Sequence, residues 1–173
     1  MKFDSNNPLI SKKIINQIRK TWQESEKEVL KEIDNLTGLA IKTKNIVCHI
    51  DDSTTHGYYG ENSIILGVKG GVSADDARMV IAHELFHIFY WKKLKKMHLT
   101  KSSPGNEAKW EWNLAEAAVF LLTNEPSLKK YWPKAKVHLY PKLKSTYKKI
   151  KPFWTPEKGD IGYFLAQSYK VLK

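Results

Sequence analysis

The stretch MVIAHELFHIFYW, residues 79–91, constrains this chain most, because two histidines and a glutamate stand in an otherwise apolar run. A buried carboxylate is costly unless a positive or hydrogen-bonding group meets it. On a helix, His83 and His87 project from one face and can ligate a single ion. Glu84 then lies about 100° further round, beside the open coordination position. The stretch therefore predicts a metal-binding helix of the type found in metal-dependent hydrolases.

The alternative is a core cluster in which His83, Glu84 and His87 hydrogen-bond one another without an ion. With 6 histidines in 173 residues, this composition gives roughly 0.01 chance matches to the HExxH pattern. No proline interrupts the segment, so it can form a helix. We therefore favour a metal site.

Length and composition predict one domain spanning residues 1–173, since the chain is long enough to bury a core and 42% of its residues are hydrophobic. The opening MKFDSNNPLISKK holds no apolar segment of the signal-peptide type, and no long apolar run follows. We therefore expect a cytoplasmic protein without a membrane span. The lone Cys48 rules out an internal disulfide and is expected to be a small buried hydrophobe.

The positive charge of the chain belongs to its last third. Residues 127–173 carry 12 lysines and 2 acidic residues, a balance of +10, whereas residues 1–126 balance at +1. Aromatic residues alternate with these lysines, a composition compatible with nucleic acid, an anionic membrane surface or an acidic substrate. We favour a solvated lysine face over an aromatic core and expect no specific nucleic-acid binding, because no nucleic-acid motif accompanies the charge.

Hydrophobic periodicity and turn residues predict the order of the elements. Two amphipathic helices at 9–23 and 24–36 end at Gly38, and strands follow in NIVCHI (45–50), THGYYG and SIILGV. Ser73 and Asp76 form a capping box, so the motif helix begins near Ala74 and ends in KKLKK. Another helix, EAKWEWNLAEAAVFLL, follows the loop TKSSPGN at 100–106.

A catalytic zinc takes three protein ligands, so HExxH alone is one ligand short. We favour Glu116, which lies 29 residues after His87 in the most apolar part of the next helix. Glu107 falls in the first turn, where the helix dipole explains a carboxylate, and Glu111 is expected to be partly exposed beside lysine and tryptophans. Glu107, Glu111 and His98 remain alternative third ligands.

With HExxH on one helix and EAAVF on the next, the chain resembles the gluzincins, a family of zinc metallopeptidases. The resemblance covers roughly residues 24–125 and is closest to the compact minigluzincins and ImmA/IrrE-type peptidases. It implies one zinc ion held by His83, His87 and Glu116, with Glu84 as general base. It implies an α+β fold in which a small, mostly antiparallel sheet packs on the HExxH helix and the glutamate helix. The strand SIILGV would be the sheet edge that pairs with an extended peptide.

The implied domain has a core at 1–126 that contains the metal site, and a basic, aromatic-rich helical part at 127–173. Position 120 is Phe where thermolysin-like enzymes have an aspartate that orients a ligating histidine, so no residue is assigned to orient His83. No role is assigned to His49 or His56.

The implied activity is peptide hydrolysis. Zinc lowers the pKa of its bound water toward ~7, and Glu84 takes the water proton and passes it to the leaving amine. Candidate donors to the tetrahedral oxyanion are His98, His138, Tyr140 and Tyr163, and Tyr163 in EKGDIGYFLA is our choice. Two alternatives remain, a metal-bound regulator without proteolysis and a structural zinc domain. An intact Glu84 argues against the structural domain, which needs no general base.

Overall fold

The computed structural model describes residues 1–5, 10, 12–103 and 105–173. Its strands are β1 (Lys2–Asp4), β2 (Val47–Asp51), β3 (Gly57–Tyr59) and β4 (Ser63–Gly67). Its helices are α1 (Lys12–Gln23), α2 (Glu26–Thr37), α3 (Ala74–Lys96), α4 (Lys109–Thr123), α5 (Pro126–Lys129), α6 (Lys144–Ile150) and α7 (Ile161–Leu172). Short 3₁₀ turns lie at Pro141–Leu143, Lys151–Phe153 and Pro156–Lys158. The expected α+β class is confirmed.

In the part of the chain that the structure describes, the four strands form one mixed sheet in the order β1-β2-β4-β3. β1 pairs with β2 and β2 with β4 in parallel, and only β3 and β4 are antiparallel. The prediction of a mostly antiparallel sheet is therefore wrong. Helices α1 and α2 connect β1 to β2, and a crossover of this kind joins parallel strands.

The prediction that SIILGV is the sheet edge is also wrong. β4, which contains all of this segment except Val68, lies between β2 and β3, and its residues Ile64 and Leu66 are almost completely buried. β3 turns tightly into β4, so β3 takes the outer position. The edge strand is therefore the short segment Gly57–Tyr59.

Local signals set most of the helix ends. Ser73 Oγ accepts from the backbone N–H of Asp76 at 3.0 Å and donates to its carboxylate at 2.6 Å, so the predicted cap of α3 is confirmed. Gly38 ends α2 in the left-handed region at φ 64°, also as predicted. The predicted start of the first helix at residue 9 lies outside the described residues, and α1 is described from Lys12.

Helix α3 runs through the middle of the hydrophobic core and contacts β3, β4, α1 and α4. Cys48 in β2 is completely buried, and burial raises the pKa of its thiol to about 12. In the basic part, α6 packs on α4 and α7, and α5 packs on α2. Trp132 is completely buried, whereas Tyr140 is 48% exposed, so the expected aromatic core includes only some of the aromatic residues. No helix within the described ranges is both long and apolar enough to cross a bilayer.

Candidate metal centre

Helix α3 places His83, Glu84 and His87 together near its centre, with Glu84 and His87 buried and His83 partly exposed. Their possible ligand atoms lie within 4.8 Å of one another, and the two histidine Nε2 atoms are 3.0 Å apart. His87 is completely buried, and burial together with the neighbouring His87 lowers the pKa of His83 well below its ordinary value. A neutral imidazole is the form that ligates a metal. This group could therefore hold a metal ion, as the motif predicts.

Glu116 reaches the same two nitrogen atoms from helix α4. Its Oε1 lies 3.3 Å from His87 Nε2, and its Oε2 lies 3.8 Å from His83 Nε2. Burial opposes ionisation of this carboxyl, but a hydrogen bond from His87 and the electrostatic influence of His87, His83 and Lys142 outweigh burial and lower its pKa. Glu116 is therefore an ionised carboxylate aimed at both imidazoles.

This donor set fits a tetrahedral zinc ion. Zinc bound at about 2.0–2.1 Å in that geometry separates its ligand atoms by about 3.3 Å. The separations of 3.0 Å between the imidazoles and 3.3 Å between His87 and Glu116 are near that value, whereas the 3.8 Å between His83 and Glu116 is longer. Two imidazoles and a carboxylate are also a ligand combination found in catalytic zinc sites.

Glu84 is buried beside this group, against the edge strand β3. Burial raises the pKa of its carboxyl to about 7, with His87 opposing the shift and Glu116 supporting it. A Cβ atom at Gly57 would collide with the Glu84 carboxylate and lie 2.6 Å from Val80 Cγ1. Glycine at position 57 therefore lets the strand backbone approach the carboxylate closely.

Aromatic stacking orients His87. The Tyr59 ring lies parallel to the His87 ring, with centroids 4.5 Å apart and planes 18° apart. Tyr59 is itself held by Trp91, whose Nε1 donates to the Tyr59 hydroxyl at 2.9 Å. His87 Nδ1 is buried and has no hydrogen-bond partner among the described residues. Ring packing, and no hydrogen bond from a described residue to Nδ1, therefore orients the His87 ring.

A cleft of about 760 Å³ opens onto the group, and its wall includes His83, Glu84 and Glu116. Strand β3 forms part of the wall, and most of residues 136–143 form another part. The exposed sheet edge and the metal group therefore meet in one cavity that is large enough for several residues of a peptide.

Of the four residues proposed as oxyanion donors, two line the cleft and two do not. His138 and Tyr140 line the cleft, and so does His56, which received no role from the sequence. Tyr163 does not line it: this residue is 49% exposed on α7, and Lys158 Nζ lies 5.2 Å from its ring. His98 is exposed, follows α3 with φ 56°, and is likewise absent from the cleft wall. Neither Tyr163 nor His98 is positioned to contact a substrate there.

Of two further residues considered in the sequence, His49 and Glu107, only Glu107 lines the cleft. His49 lies in β2, and its Nδ1 is buried without a hydrogen-bond partner in the described part of the chain. Glu107 precedes α4, which begins at Lys109, so the prediction that it lies in the first helical turn is wrong. It lines the cleft, and its Oε2 is buried without a partner in the described ranges. No sequence pattern predicts that Glu107 lines the cleft, because the loop before α4 places it there.

Glu111 was expected to be partly exposed, and this prediction is wrong, since the residue is 5% exposed. Its carboxylate accepts hydrogen bonds from Thr100 Oγ1 at 2.6 Å, Ser102 Oγ at 2.7 Å, the Ala108 N–H at 3.1 Å and the Tyr169 hydroxyl at 3.1 Å. Burial opposes ionisation, but these hydrogen bonds outweigh burial and lower its pKa. Glu111 is fully paired without a metal.

Comparison with known proteins adds no relative. No protein-family model, no curated protein and no solved structure matches this chain. The functional assignment therefore depends on the geometry of the HExxH helix, which could hold a metal ion.

Proposed function

We propose that the chain is a zinc-dependent peptidase of the gluzincin type, with His83, His87 and Glu116 as ligands. The observation that supports it best is the position of Glu116. This carboxylate comes from a separate helix, yet its two oxygens lie 3.3 Å and 3.8 Å from the two Nε2 atoms of the HExxH motif. A core cluster held by hydrogen bonds alone gives no reason for two imidazoles and a carboxylate to converge at the wall of a cleft, whereas a metal site does.

When bound, zinc supplies a Lewis acid that polarises a peptide carbonyl and acidifies water. The chain's own contribution begins with Glu84, which lies on the same helix beside the ligands and lines the cleft. As general base, Glu84 takes the proton of the attacking water and then passes it to the leaving amine. A purely structural zinc site fills its coordination positions with side chains and has no use for this carboxylate.

The substrate is proposed to be an extended peptide that lies along β3. This strand is the outer strand of the sheet, so its outer backbone groups are available to pair with a peptide. Gly57, Tyr58 and Tyr59 all line the cleft, which brings a peptide on this edge close to Glu84. β3 thus takes the role that the sequence suggested for SIILGV.

We assign stabilisation of the developing oxyanion to His138 or Tyr140. Both line the cleft, and both carry a group that can donate a hydrogen bond. Comparing hydrolysis rates of His138→Ala and Tyr140→Phe at equal zinc content identifies the donor, and unchanged rates in both variants remove the assignment.

A metal-binding protein without proteolytic activity is the second candidate, and the lysine-rich surface of residues 127–173 favours it. Most of these lysines are exposed, which suits an acidic partner. Such a protein binds zinc but cleaves no peptide, so hydrolysis by the wild type decides between the two functions.

The deciding experiment is the Glu84→Gln variant, which keeps the size of the side chain but cannot accept the water proton. We expect its zinc content and melting temperature to stay near those of the wild type, while hydrolysis of a broad peptide library falls by ~10² or more. Glu107→Gln, another carboxylate of the cleft wall, is the matched control and should retain most activity. Full activity in Glu84→Gln, or no hydrolysis by the zinc-loaded wild type, contradicts a peptidase.

A further inference from the structure

The cleft has a basic wall, residues 136–143, whose side chains at Lys136, His138 and Lys142 line the cavity. Neither Lys136 nor Lys142 forms an ion pair with a carboxylate in the described part of the chain. The acidic residues of the last third, Glu157 and Asp160, are absent from the cleft wall. Glu84, Glu107 and Glu116 line the same cleft, but within the described ranges none of them forms an ion pair with either lysine, so both ammonium groups remain available to a ligand.

Lys142 is the best-positioned cation of this wall. It lies in the short turn Pro141–Leu143, and its Nζ is 4.3 Å from the ring centroid of Trp112 and 5.8 Å from that of Tyr140. Trp112 and Tyr140 themselves line the cleft. Cation–π contacts hold an ammonium group in place without neutralising its charge, so Lys142 can still bind an anion.

Lys142 also lines the same cleft as His83 and Glu116, so a ligand in the cleft can reach both the lysine and the histidine–glutamate group. We infer that Lys142 binds a carboxylate of the peptide in the cleft, either the peptide's C-terminal carboxylate or an acidic side chain near the cleaved bond. This inference rests on the proposed function only for the identity of the occupant as a peptide. It deepens that function by giving the substrate a required charge.

The experiment measures binding rather than cleavage, so that it stays informative if the chain proves not to be a peptidase. The protein is zinc-loaded Glu84→Gln, and the probes are four fluorescein-labelled pools of random hexapeptides that otherwise lack Asp and Glu. One pool ends in a carboxylate and one in an amide. The other two are amidated and carry either one internal Glu or one internal Gln. Fluorescence anisotropy gives the affinity for each pool.

We expect the protein to bind a carboxylate-bearing pool about tenfold more tightly than its neutral counterpart, because charge-assisted hydrogen bonds are the strong ones. A preference for the C-terminal acid identifies the chain end as the ligand, and a preference for Glu over Gln identifies a side chain. Lys142→Met should abolish the preference, and Lys142→Arg should keep most of it. Lys144→Met removes an exposed lysine of α6 outside the cleft wall and should change nothing.

Three results would overturn the inference. Equal binding of charged and neutral pools, or no binding of any pool, removes the carboxylate as the recognised group. A preference that survives in Lys142→Met assigns the carboxylate to the metal instead of the lysine. A loss of the preference in Lys144→Met shows that general charge, and no particular lysine, attracts the peptide. If the zinc-loaded wild type hydrolyses no peptide while the preference for a carboxylate is observed, the proposed peptidase function fails and the inference about Lys142 stands.

Discussion

Helix α4 carries two carboxylates, Glu111 and Glu116, in contrasting surroundings. Glu111 is surrounded by groups that already carry hydrogen, namely two hydroxyls from the loop before the helix, one backbone N–H and the Tyr169 hydroxyl. Glu116 faces His83 and His87 instead. Both carboxyls have lowered pKa values, so both are ionised at neutral pH.

The comparison teaches that burial and ionisation do not by themselves identify a metal ligand. Hydroxyl and amide donors satisfy a carboxylate completely and leave no electron pairs directed at a common point. Neutral imidazoles can offer lone pairs to an ion that the carboxylate shares. The chemistry of the partners therefore distinguishes the two glutamates, and substitutions of each can test that distinction.

The largest difference is expected in zinc affinity. Glu116→Gln should weaken zinc binding by about 100-fold or more, because a neutral amide poorly replaces a carboxylate ligand beside two neutral imidazoles. His87→Ala should lose zinc in the same way. Glu111→Gln should retain about one zinc per chain. Elemental analysis after dialysis against a zinc buffer gives the comparison.

A reversed outcome is informative. If Glu111→Gln loses the metal and Glu116→Gln retains it, the third ligand is Glu111 and the arrangement of α4 must change on metal binding. Absence of any transition metal from the wild type, even after zinc reconstitution, removes the metal centre altogether.

A smaller effect is expected on stability without metal. In chelator-treated protein, Glu111→Gln should lower the free energy of unfolding by about 2 kcal/mol, because its amide group presents hydrogen to donors that lose a charged acceptor. Glu116→Gln should lower this free energy by less, since fewer groups donate hydrogen bonds to the Glu116 carboxylate than to that of Glu111. Denaturant unfolding of both variants measures the difference, and equal losses would mean that both carboxylates serve the fold.

The smallest effect is the pH dependence of stability. Both carboxyls contribute to it because both have lowered pKa values. The simpler test is Glu111, since no histidine of the described chain contacts its carboxylate. Its pKa in the folded protein is below its ordinary value, which is about 4.3 when unfolded. Its stabilisation is therefore complete above that unfolded pKa and disappears as the pH falls through the folded pKa. The stability difference between wild type and Glu111→Gln should narrow between pH 5 and about pH 3. Unfolding curves of chelator-treated protein check this, and a constant difference contradicts it.

Local sequence signals predicted the HExxH helix α3 well, because the motif occupies five consecutive residues. The same is true of the Ser73 cap and the Gly38 terminus, each of which depends on neighbouring residues. The three strands of the central segment were also predicted from alternation and turns. The parallel arrangement of the sheet was not predicted, because it involves β1. This strand has only three residues, and its pairing with β2 depends on residues far along the chain.

The environment of the glutamates was predicted only in part for the same reason. The apolar character of its helix selects Glu116 as the third ligand, and the structure places Glu116 beside both histidines. The burial of Glu111 depends on Tyr169, which lies 58 residues further along the chain. No local pattern reports such a contact, and the same holds for the cleft-lining segment 136–143.

The hydrogen bonds around Glu111 connect three separate parts of the chain, since they join the loop after α3, the start of α4 and the last helix α7. Glu111 and Glu116 share one continuous helix, so this arrangement limits the rotation and sliding of α4 relative to α3. The Glu116 carboxylate is thereby preorganised, and the entropy of ordering it is lost during folding instead of during metal capture. If the site holds a metal ion as proposed, we therefore expect Glu111 to affect how tightly that ion binds without contacting it.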